Sequence, residues 1–349
     1  MKPRKSRRRR YLLILFALLV AVVVCTGLST LVGPAGAPIG AVFGALLDGL
    51  RCVVTGQAAP ADSLHTIVLS LRLPRAILAC LVGACLALAG VVMQALFQNP
   101  MADPYLVGVS GGAGLGAVAA MMLGINVELA GFTAVPLLAF TGALGVTLLV
   151  YLLSQRGGKV QTATLLLTGI AVGSLVASIT AFLMLSRDEH QAVVLSWMLG
   201  SLSGRTWLHV WAMVPQFVLG LGISLALARP LNVLLLGDEA ATHVGLDVHR
   251  AKRWLLALSS LLAAAAVAVS GVIGFVGLVI PHICRLIVGP DHRILLPVSA
   301  LAGALLLVLA DIPARLLLSP GEIPIGIITS LLGCPFFLYL LHRHGARRL

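Results

Sequence analysis

Charge is what this chain of 349 residues lacks most. Asp, Glu, Lys and Arg make up 10% of it, where soluble domains carry about 25%. So few charges cannot clothe a water-facing surface, which excludes an ordinary soluble domain and makes a bilayer the expected solvent. Acid is scarcer than base, with 12 Asp and Glu against 24 Lys and Arg. Only four lysines occur: Lys2, Lys5, Lys159 and Lys252. A nucleotide-binding P-loop needs GxxxxGK followed by Ser or Thr. Lys159 follows Gly158 but precedes Val160, and the other three lack the glycines. A built-in ATP motor is therefore excluded, and no cofactor is expected on this chain. The six cysteines form no CxxC pair and five lie in apolar segments, so they read as small buried hydrophobes rather than a disulfide or metal framework. No Ser/His/Asp or paired-carboxylate arrangement suggests an enzyme.

What is abundant is apolar length. The chain is 59% hydrophobic, and a spanning helix needs about 20 mostly apolar residues. Ten candidates read out: 11–32, 76–97, 105–124, 131–153, 163–185, 207–228, 254–272, 273–289, 294–311 and 324–341. His282 and Arg285 interrupt the eighth. The 37 glycines suit helices that pack closely through small residues. The formal charge of +12 follows the positive-inside rule. With both termini cytoplasmic, every Lys and Arg but Arg51, Arg72, Arg75, Arg187, Arg205 and Arg315 falls inside. Nucleic-acid binding is not expected. The run from Tyr11 to Val32 is longer than a signal-peptide core, so it reads as a retained first span. The expected fold is an all-α polytopic membrane protein in a cell inner membrane.

One membrane domain, 1–349, accounts for the chain, with a basic N-terminus at 1–10 and its longest polar insert at 229–253. Two glycine-rich helices each precede a Pro-bearing interruption, at 98–104 and 289–293. They lie six spans apart on one side. An inverted repeat of the kind seen in transporters needs an odd offset, so two ordinary helix-loop-helix units are the better account.

Four constellations could carry function. In the inside loop, Gly237 and Asp238 suit a helix start, with Asp238 or Glu239 at its positive end. Ala240 and Ala241 are small enough for another protein to approach, and Gly245 permits a turn before Leu246. This reads as a rigid docking knob. Arg72 and Arg75 flank Pro74 just outside the second span, and Arg315 lies near the outer end of the ninth. Interfacial snorkelling accounts for a single arginine. Two beside a proline, against the charge bias, favour an outward-projecting site for carboxylates. Asn99, Pro100, Met101, Ala102, Asp103 and Pro104 disfavour a continuous helix and read equally as a tight turn or as a constriction of a pathway. Asp311 and Arg315, at i and i+4, read as a structural ion pair, and His282 as a structural histidine. A coupled acid or His network would mark an ion-driven secondary transporter, and Asp311 alone is a poor candidate.

The pieces RLPR at 72–75, LVGACLALAGVVMQALFQNPMADPYLVGVSGGAGLGA at 81–117, WMLGSLSGRTW at 197–207, GDEAATHVGLDV at 237–248, GFVGLVIPHICRLIVGPDHRILLP at 274–297 and GEIPIGIITSLLGCPFFLYLL at 321–341 together resemble the type II ABC importer permeases for iron-siderophores, haem and cobalamin. The resemblance implies a homodimer of ten-span subunits with one pathway at the two-fold axis. It implies two ATPase subunits below, which carry the ATP-Mg, and a substrate-binding protein above. Arg72, Arg75 and Arg315 resemble the positions that receive that protein's acidic residues. Residues 237–248 resemble the helix pair seated in the ATPase cleft, and Asn99, Pro100 and Met101 resemble the cytoplasmic gate. The family commonly has Arg-Asn-Pro-Leu there, where this chain has Gln98 and Met101. An iron chelate is the expected cargo, with cobalamin and haem as alternatives.

Overall fold

The computed structural model describes residues 4–345 apart from 34–35, 57–59, 61, 126, 157–158 and 186–190. Lys2, Gly158, Arg187, Arg347 and Arg348 lie outside them. Fourteen helices follow in order: α1 (Arg4–Leu31), α2 (Ile39–Thr55), α3 (Ser63–Leu96), α4 (Val109–Met122), α5 (Ala134–Leu153), α6 (Thr162–Leu185), α7 (Gln191–Met198), α8 (Trp207–Ala226), α9 (Ala228–Leu234), α10 (Asp238–His243), α11 (Val248–Ser270), α12 (Val276–Val288), α13 (His292–Leu316) and α14 (Ile325–Gly345). Two two-residue ladders close the turns between α4 and α5 and between α5 and α6. Among the described residues, seven helices are long and apolar enough to cross a membrane: α1, α3, α5, α6, α8, α11 and α13. Three more, α4, α12 and α14, are apolar but shorter.

α3 is apolar on every side, which a helix tolerates only when neighbours cover every side. It forms the axis of the bundle, packed by α13, α11, α8 and α12. Two contacts are backbone on backbone. A Cβ at Gly83 would lie 2.2 Å from the Gly303 carbonyl oxygen, and one at Gly90 would lie 1.8 Å from that of Gly277. The remaining helices are half-covered, and α1 is covered least, presenting Leu12, Phe16 and Val23 outward.

The structure corrects the sequence reading at two boundaries. Pro74 does not lie just outside the second helix. α3 begins eleven residues earlier, at Ser63, and runs through the proline. Pro74 lacks the N–H that an α-helix would bond to residue 70 and its ring crowds that carbonyl. Residues Thr66–Arg72 relieve the clash as a π-turn, with Leu73 N–H bonded to the Val68 carbonyl, the wider geometry that often marks functional positions. The expected span 273–289 also shrinks. α11 ends at Ser270, and residues 271–275 are irregular, with Gly271 at φ 68° and Phe275 at φ 69°. α12 then has 13 residues, about 20 Å at 1.5 Å each, too short to cross as a helix without the irregular stretch before it. Buried irregular backbone needs partners. Tyr105 Oη donates to the Ile273 carbonyl at 3.0 Å, Ser201 N–H to that of Ser270 at 2.7 Å, and Gln94 Nε2 to that of Leu278 at 3.1 Å. α2, absent from the ten candidates, is a helix in the 33–75 segment, folded against the π-turn through Val42, Ala45 and Val68.

Candidate functional site

The knob at 237–248 folds as its residues dictate. Gly237 adopts φ 96°, a conformation costly for any residue with a Cβ, and α10 starts with Asp238 and Glu239 in its first turn. It stops in a Schellman arrangement: Gly245 N–H bonds the Thr242 carbonyl at 2.9 Å and Leu246 N–H that of Ala241 at 3.0 Å, with Gly245 at φ 91°. Asp247 then caps α11, accepting from Arg250 N–H at 2.9 Å. Ala240 is half-buried, but Ala241 is fully buried against the chain itself. Of the two alanines expected to face a partner, Ala241 faces inward. The outward surface is instead Glu239, Thr242, His243 and Val244, with Leu236 beside them. Val244 and Leu236 were not singled out from sequence. Their signal, large apolar side chains in the chain's most polar insert, was there to be used.

The interruption after α3 is a tight turn. Gln98 sits at φ 50°. Asn99 Oδ1 accepts from Met101 N–H at 2.9 Å, and Asp103 Oδ1 from Tyr105 N–H at 2.8 Å. Pro100 is exposed, while Asn99 and Met101 stand beside it at the surface. Burial raises the Asp103 carboxyl to about 6, against the lowering effect of the Tyr105 N–H.

These two stretches meet at Asp238. Its Oδ1 accepts from Gln98 Nε2 at 2.7 Å and its Oδ2 from Lys252 Nζ at 2.5 Å. Lys252 also donates to Thr162 Oγ1, the first residue of α6, at 3.2 Å. One carboxylate thus ties the 98–104 turn, α10, α11 and α6. Nearby, Asp291 accepts from Asn232 Nδ2 at 2.7 Å and Asn232 Oδ1 accepts from His292 N–H at 2.8 Å, which fastens the 289–293 loop to α9.

At the opposite end, the three outer arginines form a knot instead of projecting. Arg72, Arg75 and Arg315 are all buried. Arg75 holds Asp311 through Nε and Nη2 at 3.0 and 2.8 Å, and Glu322 through Nη1 at 2.7 Å. Arg315 Nε pairs with Asp311 Oδ2 at 2.9 Å, and its Nη2 donates to Ser29 Oγ and Ser29 O at 2.7 and 2.9 Å. Arg72 Nη1 leans on the Leu31 carbonyl at 3.4 Å, and its Nη2 has no partner among the described residues. Desolvated charge is tolerable when paired, as Arg75 and Arg315 are with Asp311; Arg72 has only carbonyl contacts. Asp311 is therefore shared between two arginines, more than the single i,i+4 pair expected. Glu322, at the outer edge and more exposed than Asp311, was not singled out. Among the described residues no group of His, Cys, Asp and Glu could hold a metal ion.

Known proteins share this sequence and fold. The model of the FecCD transport family matches residues 13–343. The chain is 49% identical over 288 residues to the cobalamin import system permease protein BtuC of Halobacterium salinarum, covering 82% of this chain and 76% of that one. It is 44% identical over 300 residues to the hemin transport system permease protein HmuU of Yersinia pestis, covering 82% and 86%. It is 43% identical over 279 residues to the Fe(3+) dicitrate transport system permease protein FecD of Escherichia coli, covering 80% and 86%. A solved structure of an inward-facing metal-chelate type ABC transporter superposes with a TM-score of 0.80 at 31% identity, covering 95% of this chain and 99% of that one. The membrane-length apolar helices and these relatives lead to one conclusion: the chain belongs to the FecCD transport family, as a multi-pass permease subunit of the type II ABC importers.

Proposed function

We propose that this chain pairs with a second copy of itself to import a metal chelate across the inner membrane, one membrane domain of ten spans per copy with both termini cytoplasmic. Two ATPase subunits seat α10 and its flanks, supply ATP-Mg and drive the cycle, while a substrate-binding protein delivers cargo at the outer arginine knot. The observation that carries this reading is the Asp238 junction. A force applied to α10 has a direct hydrogen-bonded route to the 98–104 turn through Gln98 and to α6 through Lys252 and Thr162. Gly237, Glu239, Ala240, Gly245 and Leu246 shape that lever; Ala241 anchors it. Asn99, Pro100 and Met101 form the gate it moves. At the other end, carboxylates of the delivery protein compete with Glu322 for Arg75 and take up the free Nη2 of Arg72, with Arg315 behind them. The relatives' names, cobalamin, hemin and Fe(3+) dicitrate, favour a chelate as cargo, and we infer an iron-siderophore, with cobalamin or haem as the alternatives. Asp311, the acid weighed as an ion carrier, is held between two arginines, which disfavours an ion-coupled mechanism.

Reconstitution tests this. Liposomes holding the permease alone should accumulate no ferric siderophore, cobalamin or haem under a proton or sodium gradient. Adding the cognate ATPase, binding protein and ATP should start uptake of one of the three. Gradient-driven accumulation by the permease alone would overturn the reading.

A further inference from the structure

A groove of about 600 Å³ opens between α5 and α11 on the side of the molecule that carries α10. Its mouth is basic: Arg250, Arg253 and Trp254 line it from the first turns of α11, all three exposed. Neither guanidinium has an ion-pair or hydrogen-bond partner among the described residues, whereas the adjacent Lys252 is consumed by Asp238 and Thr162. No carboxylate lines the groove. Below the mouth the walls turn apolar, with Leu144 and Leu148 on α5 and Leu261 on α11. A second depression continues along the same two helices toward their other ends, past Phe140 and Ala265. Together they run along one face of each helix, at helical spacing.

Two further atoms in the groove are unsatisfied. Thr147 Oγ1 and Ser260 Oγ both line it, both residues are more than nine-tenths buried, and neither hydroxyl has a partner. A hydroxyl in an apolar wall is costly unless bonded, and a helical Thr or Ser would ordinarily bond the carbonyl four residues back. Ser260 lies seven residues beyond Arg253 on the same helix, about 10 Å at 1.5 Å per residue. An apolar slot, two hydroxyls part-way down and two free guanidinia with an indole at the rim match one kind of ligand. It has an anionic head, ester oxygens beneath and an alkyl chain.

We propose that this groove is a specific site for one anionic phospholipid of the leaflet on the α10 side. Its phosphate sits on Arg250 and Arg253, its ester oxygens accept from Thr147 and Ser260, and an acyl chain lies between α5 and α11. Basic pockets between membrane helices take anionic headgroups in this way, and Trp254 sits where interfacial indoles are favoured.

The test uses the full chain, purified without partners, in mixed detergent–lipid micelles. Native mass spectrometry should show one phosphatidylglycerol retained per chain in preference to phosphatidylcholine, and Arg250→Ala with Arg253→Ala should lower that retention about tenfold. Ala257→Phe fills the slot with the arginines intact and should lower it similarly, so misfolding of one variant does not hide the answer. Equal retention of the two lipids would overturn the proposal. So would unchanged retention in both variants, or full competition by glycerol phosphate, which would make the rim an anion site without a lipid slot. In a parallel preparation expressed with the ATPase, loss of its co-purification in the arginine double variant with lipid retention unchanged would assign those arginines to the motor and overturn it equally.

Discussion

Asp238 and Ala241 are one turn apart and do opposite things. Asp238 is half exposed, and exposed ion pairs contribute only about 0–1 kcal/mol. Asp238→Ala should leave the thermal midpoint nearly unchanged yet cut the link between α10 and the 98–104 turn, so ATP is hydrolysed with uptake reduced severalfold. Ratios of uptake to hydrolysis in proteoliposomes check this. Ala241 is fully buried, so Ala241→Glu forces a carboxylate into an apolar contact and should yield little folded protein. Ala240→Glu, at the half-buried neighbour, should fold and fail to hold the ATPase. If both fold and dock equally, α10 is not the seat. Asp103 gives a pH signature. Its ordinary value is 3.8 and burial lifts it to about 6. Between those values the folded chain binds more protons than the unfolded one, so stability falls as pH rises through the window and stays lower above it. Asp103→Asn keeps an acceptor for Tyr105 N–H and removes the titration. Its melting midpoint should therefore lose that fall and exceed the parent's at pH 7.

Among the elements, α3 and α12 depend most on contacts their sequences do not announce. Gly90→Ala would set a Cβ against the Gly277 carbonyl, and pushing α3 off α12 should cost about 1–3 kcal/mol, read as a lower midpoint in detergent. Glycine abundance pointed to close packing in general. Which glycine meets which carbonyl depends on helices far apart in the chain. The apolar runs were legible because burial in lipid demands length, and the α10 turn because Gly237, Gly245 and the acidic first turn encode it locally. Pro74 misled because a π-turn upstream can absorb a proline. The 273–289 run misled because hydropathy records burial, not continuity: the residues from Ser270 to Leu278 are as apolar as a span while their backbone is bonded by Tyr105, Ser201 and Gln94 from elsewhere. The outer arginines misled for the same reason, since Arg75 and Asp311 lie 236 residues apart.

Across the whole molecule, two polar ends are joined by an apolar bundle. The arginine end is a closed charge cluster and the α10 end a hub of exposed hydrogen bonds, so they should respond differently to salt. Binding-protein association should weaken from low to high ionic strength, because screening acts on carboxylates that approach through water, while the buried Arg75–Asp311 pair should hardly change. Glu322→Gln removes the internal competitor for Arg75 and should tighten association severalfold in surface binding at low salt. Weaker association would place Glu322 on the delivery protein's side of the contact. The knot has one more attachment. α1 lies mostly bare along the bundle, and what fastens its last turn is guanidinium on carbonyl: Arg315 on Ser29 and Val32, Arg72 on Thr30 and Leu31. The arginines proposed to receive the delivery protein are the same ones that moor the N-terminal helix. On that proposal each docking event is a tug on a mooring line, and a spin label at Leu28 should gain mobility when the delivery protein arrives and lose it when that protein leaves.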